Sequence, residues 1–465
     1  MATTAKKPAR RKTAATGPKP RKQPRPPVRP EALRAASRFP TLEAILSRRA
    51  RRFALGAEMT GPLAFRSVKE PVPLAYEEEA ILVAAATGIT GVVREEWPFT
   101  TSEGTTTGAD KLESFTGRPW PSPLATHGTE LFWTNDDGVF VLPQRDVKAT
   151  QYVQNQSLEE QHALYKKAIS LKSHRLGLPC RRPNLFKFNE WIVNHEGTTL
   201  FMPIADVTRQ CIAAMLLYFD RPHGYYLKDM LLRADPLKPF VKEGLFSKDA
   251  HPYDIADFER WQMVDMNGVE AGLVVQSLML ATQALGLGGH PFSGGKGRVT
   301  MGGEPLWEAA GGSGPCEGLG FTFHRVPDDA PVGPGESIPV GLPGIFEGAC
   351  PPFHDSMDAA VDHVVGLRWG KDGIFSAPEK QQVPWTSPEV ARAVPPPSEL
   401  AIAATKTLCN YIWDAYGRFP ATLDPFLTTV WYQSCHLDVD FYDRYYPKEA
   451  VPRHIRNHMR VWHGM

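Results

Sequence analysis

Helical periodicity is strongest over residues 267–285, where Leu273, Val274, Leu278, Ala281 and Leu285 recur at spacings of three and four and predict a helix buried on one broad face. Gly286, Leu287, Gly288 and Gly289 follow, and a run this rich in glycine can cap a helix at positive φ or let backbone approach a flat ligand closely. The same period predicts helices over residues 42–53 (apolar face Leu42, Ile45, Leu46), 76–88, 158–174 and 399–413. The second of these is acidic in its first turn, as the helix dipole prefers. Alternation changes the reading between residues 129 and 142: Leu131, Trp133, Val139 and Val141 point to two strands around the turn Asn135-Asp-Asp-Gly138. Residues 191–195 and 199–202 read as a further pair of strands around Glu196-Gly197. Residues 211–219 are apolar, too short to cross a membrane, and read as core.

Charge separates the first residues from the rest. Residues 1–30 hold ten Lys or Arg and no acid, which leaves the other 435 with 42 basic and 51 acidic residues, a net of −9. A basic, proline-rich stretch has too little to bury, so residues 1–35 are expected to be a disordered tail with weak attraction for polyanions. Residues 36–395 are then expected as the main domain, and residues 396–465, beyond the Pro395-Pro396-Pro397 break, as a helix and strand extension packed on it. Six cysteines without a CxxC pair suit a reducing compartment, and no run of eighteen apolar residues appears. The expectation is a cytoplasmic protein without a membrane partner.

Four segments carry candidate chemistry. Arg48, Arg49, Arg51 and Arg52 crowd into five residues; planar guanidinium donors match phosphate oxygens, and an anion would relieve their repulsion. Ser122 and His127 sit in a proline-rich loop at the entrance of a strand. Lys296 and Arg298 lie on a glycine loop able to cradle phosphate. His436, Asp438 and Asp440 alternate, so on a strand they would share one face, a plausible metal shell that His454 and His458 could complete.

Taken in order, these pieces resemble the FMN-dependent nitroreductase-like superfamily, and more narrowly its SagB-type (thiazoline-oxidase-like) branch. The residues that carry the resemblance are Arg48-Arg49-Ala50-Arg51-Arg52-Phe53, Ala84-Ala85-Ala86-Thr87-Gly88, Pro121-Ser122 through His127, and Ala284-Leu285-Gly286-Leu287-Gly288. It spans residues 40–344, about two thirds of the chain. Ala50 stands where the family has serine, and the Lys-Tyr pair of azoline-oxidising relatives has no adjacent counterpart.

The resemblance implies an α+β fold with a central, mostly antiparallel sheet flanked by helices, and FMN in a groove at a homodimer interface. It implies that Arg48, Arg49 and Arg52 bind the FMN phosphate, that Ser122 and His127 border the flavin ring, and that Gly286, Leu287, Gly288 and Gly289 contribute backbone. Lys296 and Arg298 are added as candidate cofactor contacts. The expected activity is hydride transfer to or from a small-molecule or peptide-derived substrate. Two alternatives remain at this point: a flavin-free binding or scaffold protein on the same fold, and a metal-dependent enzyme using His436, Asp438 and Asp440.

Overall fold

The computed structural model describes residues 24–465 apart from 94–98, 101–105, 108–115, 124–125, 154–156, 221–223, 294 and 381. The principal helices are α1 (Pro30–Ala36), α2 (Thr41–Ser47), α3 (Tyr76–Thr87), α4 (Leu158–Tyr165), α5 (Thr208–Phe219), α6 (Met266–Leu285), α7 (Met357–Trp369), α8 (Glu399–Tyr416) and α9 (Val439–Tyr445). The central sheet is built from β1 (Thr129–Asn135), β2 (Gly138–Leu142), β3 (Ile169–Lys172), β4 (Thr198–Asp206), β5 (Gly288–Phe292), β6 (Phe426–Leu427) and β7 (Trp431–Cys435). Its order is β5-β7-β4-β1-β2-β3, with β6 paired to the end of β4, and every pairing is antiparallel. The fold is therefore α+β with a central antiparallel sheet, as expected.

Period-two alternation divides this sheet between two cores. Leu131, Trp133, Leu142, Phe201 and Tyr432 face α3 and α6, meeting Leu82, Val83, Val274, Leu278 and Leu285. Phe132, Val139, Val141, Leu200, Met202 and Ile204 face the other way, toward Phe53, Phe346, Phe426 and Phe441. A third core forms where α5, α7 and α8 pack together around Cys211, Met215, Val361, Leu408 and Cys409. The run Ile255–Leu285 is long and apolar enough to cross a membrane by length and composition. Within it, however, Glu259 and Glu270 are buried and accept hydrogen bonds from Ala421, Thr422 and Thr129, which places this helix in the protein core.

Several elements differ from the sequence reading. The helix expected over residues 42–53 stops at Ser47, and its apolar face is outward, with Leu42 72% and Leu46 75% exposed. The helix expected over 158–174 stops at Tyr165, because Tyr165 is drawn inward to the Glu79 carboxylate and the chain beyond it pairs with β2 as β3. Residues 191–195 form turns rather than a strand; the Gln433 side chain takes up their backbone groups, donating to Ile192 O and accepting from Asn194 N. Residues 396–465 are no appendage, since β7 lies between β5 and β4 inside the sheet.

The basic segment also departs from expectation over its described part; residues 1–23 lie outside the described residues. Residues 24–36 dock on the core. Ala32 is buried, Arg29 N–H donates to Trp462 O at 2.9 Å, and Arg25 donates to Asp137 at 2.7 Å and to Glu79 at 3.5 Å. Average composition hides this, because four apolar residues (Val28, Ala32, Leu33, Ala36) and two arginines (Arg25, Arg29) find specific partners. Replacing Arg25 by Met should therefore lower stability by about 1.5–3 kcal/mol, the range for hydrogen bonds to charged groups. Chemical denaturation of the two proteins measures this, and an unchanged midpoint would show that the arm contributes nothing.

Candidate functional site

The arginine segment leaves α2 in extended conformation and runs along the outer edge of β5, where Arg51 N–H donates to Gly289 O at 3.2 Å. This path sorts the four guanidiniums. Arg51 turns inward, donating to Ala450 O at 2.8 Å and to Gln283 Oε1 at 3.4 Å. Arg52 lies over the Trp191 ring and donates to Asn189, so it is committed to the fold and does not join the expected phosphate clamp. Arg48 and Arg49 do come together. With Met279, Thr282, Gln283, Leu287, Gly289 and Tyr432 they line a narrow cleft of about 10 Å³. Among the described residues neither guanidinium meets a carboxylate, and that of Arg48 makes no hydrogen bond; Arg49 donates to Arg48 O at 2.7 Å. Two cations without carboxylate partners among the described residues suit an anion. At about 10 Å³ the cleft has room for about one water molecule, so an anion would rest at its mouth and a ring system attached to it would lie outside.

The glycine run answers mainly to packing. Gly286 ends α6 at φ 83, as expected of a left-handed cap. Leu287 is buried in the sheet's helix-facing core. A Cβ on Gly288 would overlap Leu437, and one on Gly289 would overlap the Tyr432 hydroxyl, so both positions must be bare for β5 to lie against β7. Gly289 N–H and C=O thus serve the strand, although the residue also borders the cleft. Lys296 and Arg298 are not brought to the cleft. Lys296 is exposed, and Arg298 is neutralised by Asp424 and Glu336, which hold its guanidinium even more firmly protonated than usual.

The Ser122 loop forms a second, separate region. Ser122 Oγ donates to the Glu270 carboxylate, which also accepts from Thr129 Oγ1 at 2.7 Å and Thr126 Oγ1 at 3.2 Å. Burial pushes the Glu270 carboxyl up, and these hydroxyls only partly offset it. His127, at φ 47, is buried against Trp120. Ser122 and His127 therefore hold the loop together, while Thr126 and Gly128 line a cavity of about 460 Å³. Arg145, Lys148, Arg209, Arg368 and Lys371 outnumber Asp146, Asp206 and Asp372 in its wall. Arg145 pairs with Asp206, and Arg209 with Asp146.

These two regions lie at opposite ends of α6. Glu270 holds the Ser122 loop and Gln283 holds Arg51, and at about 1.5 Å rise per residue the two α6 positions stand about 20 Å apart. Within one chain the sheet and α6 keep the arginine cleft and the Ser122 loop apart.

The expected metal shell is redistributed. β7 ends at Cys435, so His436, Asp438 and Asp440 do not share a strand face. Asp438 caps α9 and, with Asp440, binds Lys69 at 2.9 and 2.8 Å. His454 faces Gln283 O and the Phe39 ring. His436 and His458 instead converge, with His463, on the Glu78 carboxylate: Nε2 to oxygen distances are 3.1, 2.8 and 3.1 Å. Burial would raise the Glu78 carboxyl, but the three imidazoles, His436 foremost, hold it well below the usual carboxylate range. Sequence reasoning missed Glu78, taken for a dipole-complementing acid, and His463. The one available signal was the density of histidine in residues 454–463, set against three consecutive acids at a helix start.

No protein-family model matches the chain, and no curated protein matches it. Among solved structures, a candidate nitroreductase from Ralstonia eutropha JMP134 aligns over 63% of this chain and 90% of its own length, at 13% identity and a TM-score of 0.25. A likeness of that strength carries no functional conclusion.

Two outcomes follow from this geometry. Gly289→Ala should destabilise the protein by about 1–3 kcal/mol through overpacking against Tyr432, seen as a lower melting temperature with no ligand added; an unchanged melting point would return Gly289 to a purely ligand-facing role. Glu270 is raised in the folded state above its ordinary 4.5, so the folded form binds more protons and loses stability as pH rises from there through the raised value. Glu270→Gln should remove that dependence, and parallel pH-stability curves for the two proteins would contradict it.

Proposed function

We propose that the chain is an FMN-dependent oxidoreductase of the nitroreductase-like superfamily, of the SagB type, acting as a homodimer on a small-molecule or peptide-derived substrate. The observation that carries this reading is the cleft beside Gly289, where Arg48 and Arg49 stand without carboxylate partners among the described residues at the end of α6. It coincides with the motif order described above, in which an arginine segment and a glycine turn after a long helix attend one flavin. Arg48 and Arg49 would hold the phosphate, with Thr282, Leu287 and Tyr432 lining its approach. FMN, when bound, supplies hydride transfer; the chain supplies anchorage and orientation.

The homodimer accounts for the distance between the arginine cleft and the Ser122 loop. A single flavin attended by both would have Arg48 and Arg49 from one copy and the loop of Ser122 of the partner subunit. Two exposed faces favour such pairing. Leu42, Ile45 and Leu46 on α2 adjoin the arginine segment, and α6 exposes Gly268, Val269 and Gly272. Apolar surface of this kind is usual where another molecule covers it. The cation-rich cavity beside the Ser122 loop would then receive an anionic substrate.

Fluorescence titration of FMN tests the assignment. Arg48→Ala with Arg49→Ala should weaken FMN by about 1.5–3 kcal/mol for each lost charge-assisted contact, roughly one to two orders of magnitude apiece. Lys371→Ala, in the large cavity, should leave FMN affinity unchanged. Reversal of that pattern would move the phosphate to the large cavity, and a colourless wild type that ignores added FMN would favour the flavin-free scaffold.

A further inference from the structure

The Glu78, His436, His458 and His463 cluster carries chemistry that the flavin reading does not use. Each imidazole is fixed from behind by a backbone carbonyl: His436 Nδ1 lies 3.0 Å from Val72 O, His458 Nδ1 3.0 Å from Leu285 O, and His463 Nδ1 2.9 Å from Pro27 O. A carbonyl and a carboxylate can each only accept, so every ring lies between two acceptors, and a neutral imidazole, with its single N–H, can donate to only one of them. For both nitrogens to donate, each ring must be an imidazolium. Three imidazoliums on one carboxylate would leave two net positive charges among side chains at most 4% exposed, a costly arrangement. With neutral rings, lone pairs instead oppose lone pairs at about hydrogen-bond distance.

A cation removes the conflict. We propose that Glu78, His436, His458 and His463 bind a divalent first-row transition metal, zinc being the best match, in a closed site of three imidazole nitrogens and one carboxylate. Ligand type agrees, since imidazole with carboxylate suits zinc and its neighbours in the series. Size agrees too. Metal bonds of about 2.0–2.1 Å give a tetrahedron with edges of about 3.3 Å, and the nitrogen to oxygen separations here are 2.8 to 3.4 Å, with all ligand atoms within 4.8 Å of one another. The imidazole rings are arranged almost evenly, their centroids 5.1 to 5.3 Å apart. Carbonyl-fixed imidazoles are the supporting shell that metal-ligating histidines ordinarily have.

Four protein ligands and full burial assign the ion to structure rather than turnover. It would tie α3 to the end of β7 and to residues 458–463, and through Pro27 to the N-terminal arm. Nothing in this assignment rests on FMN.

Full-length protein, purified without chelators, loaded with Zn²⁺ and desalted, should hold about one ion per chain by elemental analysis. Cobalt-loaded protein should show the visible absorption of a tetrahedral Co²⁺ site. Glu78→Gln with His458→Gln should lose that stoichiometric metal. Wild type that retains less than about a tenth of an equivalent overturns the proposal, as does a folded double variant that retains the full equivalent. Should the double variant fail to fold, the wild-type stoichiometry and cobalt spectrum decide: absence of both overturns the site.

Discussion

Burying two adjacent carboxylates at the start of a helix is the constraint on which much of this structure depends. Glu78 and Glu79 are both nearly inaccessible. An ionised carboxylate in such a place needs donors or cations on every oxygen, and a single short element cannot provide them. Glu79 gathers Trp133, Asn135, Tyr165, Thr199 and Arg25, so it joins β1, α4, β4 and the N-terminal arm to α3. Glu78 gathers the histidines that follow β7. Neighbouring acids thereby fasten opposite ends of the chain to the same turn, and they do so by different means: Glu79 is satisfied by neutral donors and one guanidinium, whereas Glu78 faces imidazoles that each also meet a backbone carbonyl.

That contrast also marks where the sequence was legible. Period-two and helical patterns placed β1, β2, α6 and α8, because those elements pack regularly against contiguous core, whereas the class of fold was expected from the resemblance. What the pattern missed depended on individual long-range partners. Tyr165 ends α4 by reaching Glu79, Gln433 takes up the backbone of 192–194, and Arg25 converts a stretch of tail into a docked arm. None of these is periodic. The strand β7, taken for part of an extension, is in mid-sheet because Trp431–Cys435 finds Gly288 and Gly289 on one side, bare enough to admit its side chains.

The candidate site was legible in a similar, partial way. The arginine-rich segment was singled out as a candidate site for an anion, yet only extended backbone beside β5 decides which arginines face the cleft and which stay in the fold. Ser122 and His127 were placed in the right loop but turn out to hold it together. The histidines required three dimensions entirely: His436 and His458 were in view, but their convergence with Glu78 and His463 depends on the C-terminal segment folding back over α3.

The position of β7 has a consequence for biosynthesis. Its neighbour β4 is made early, and β5 later, yet neither can gain this shared partner until α5, α6, α7 and α8 have been translated. Until then the nascent chain carries two unpaired strand edges in an incomplete sheet, the condition in which chains associate with one another through backbone hydrogen bonds. Pairings so distant along the chain also make closure slow. Yield of folded protein should thus depend on translation speed and chaperone capacity more than on the stability of the finished structure.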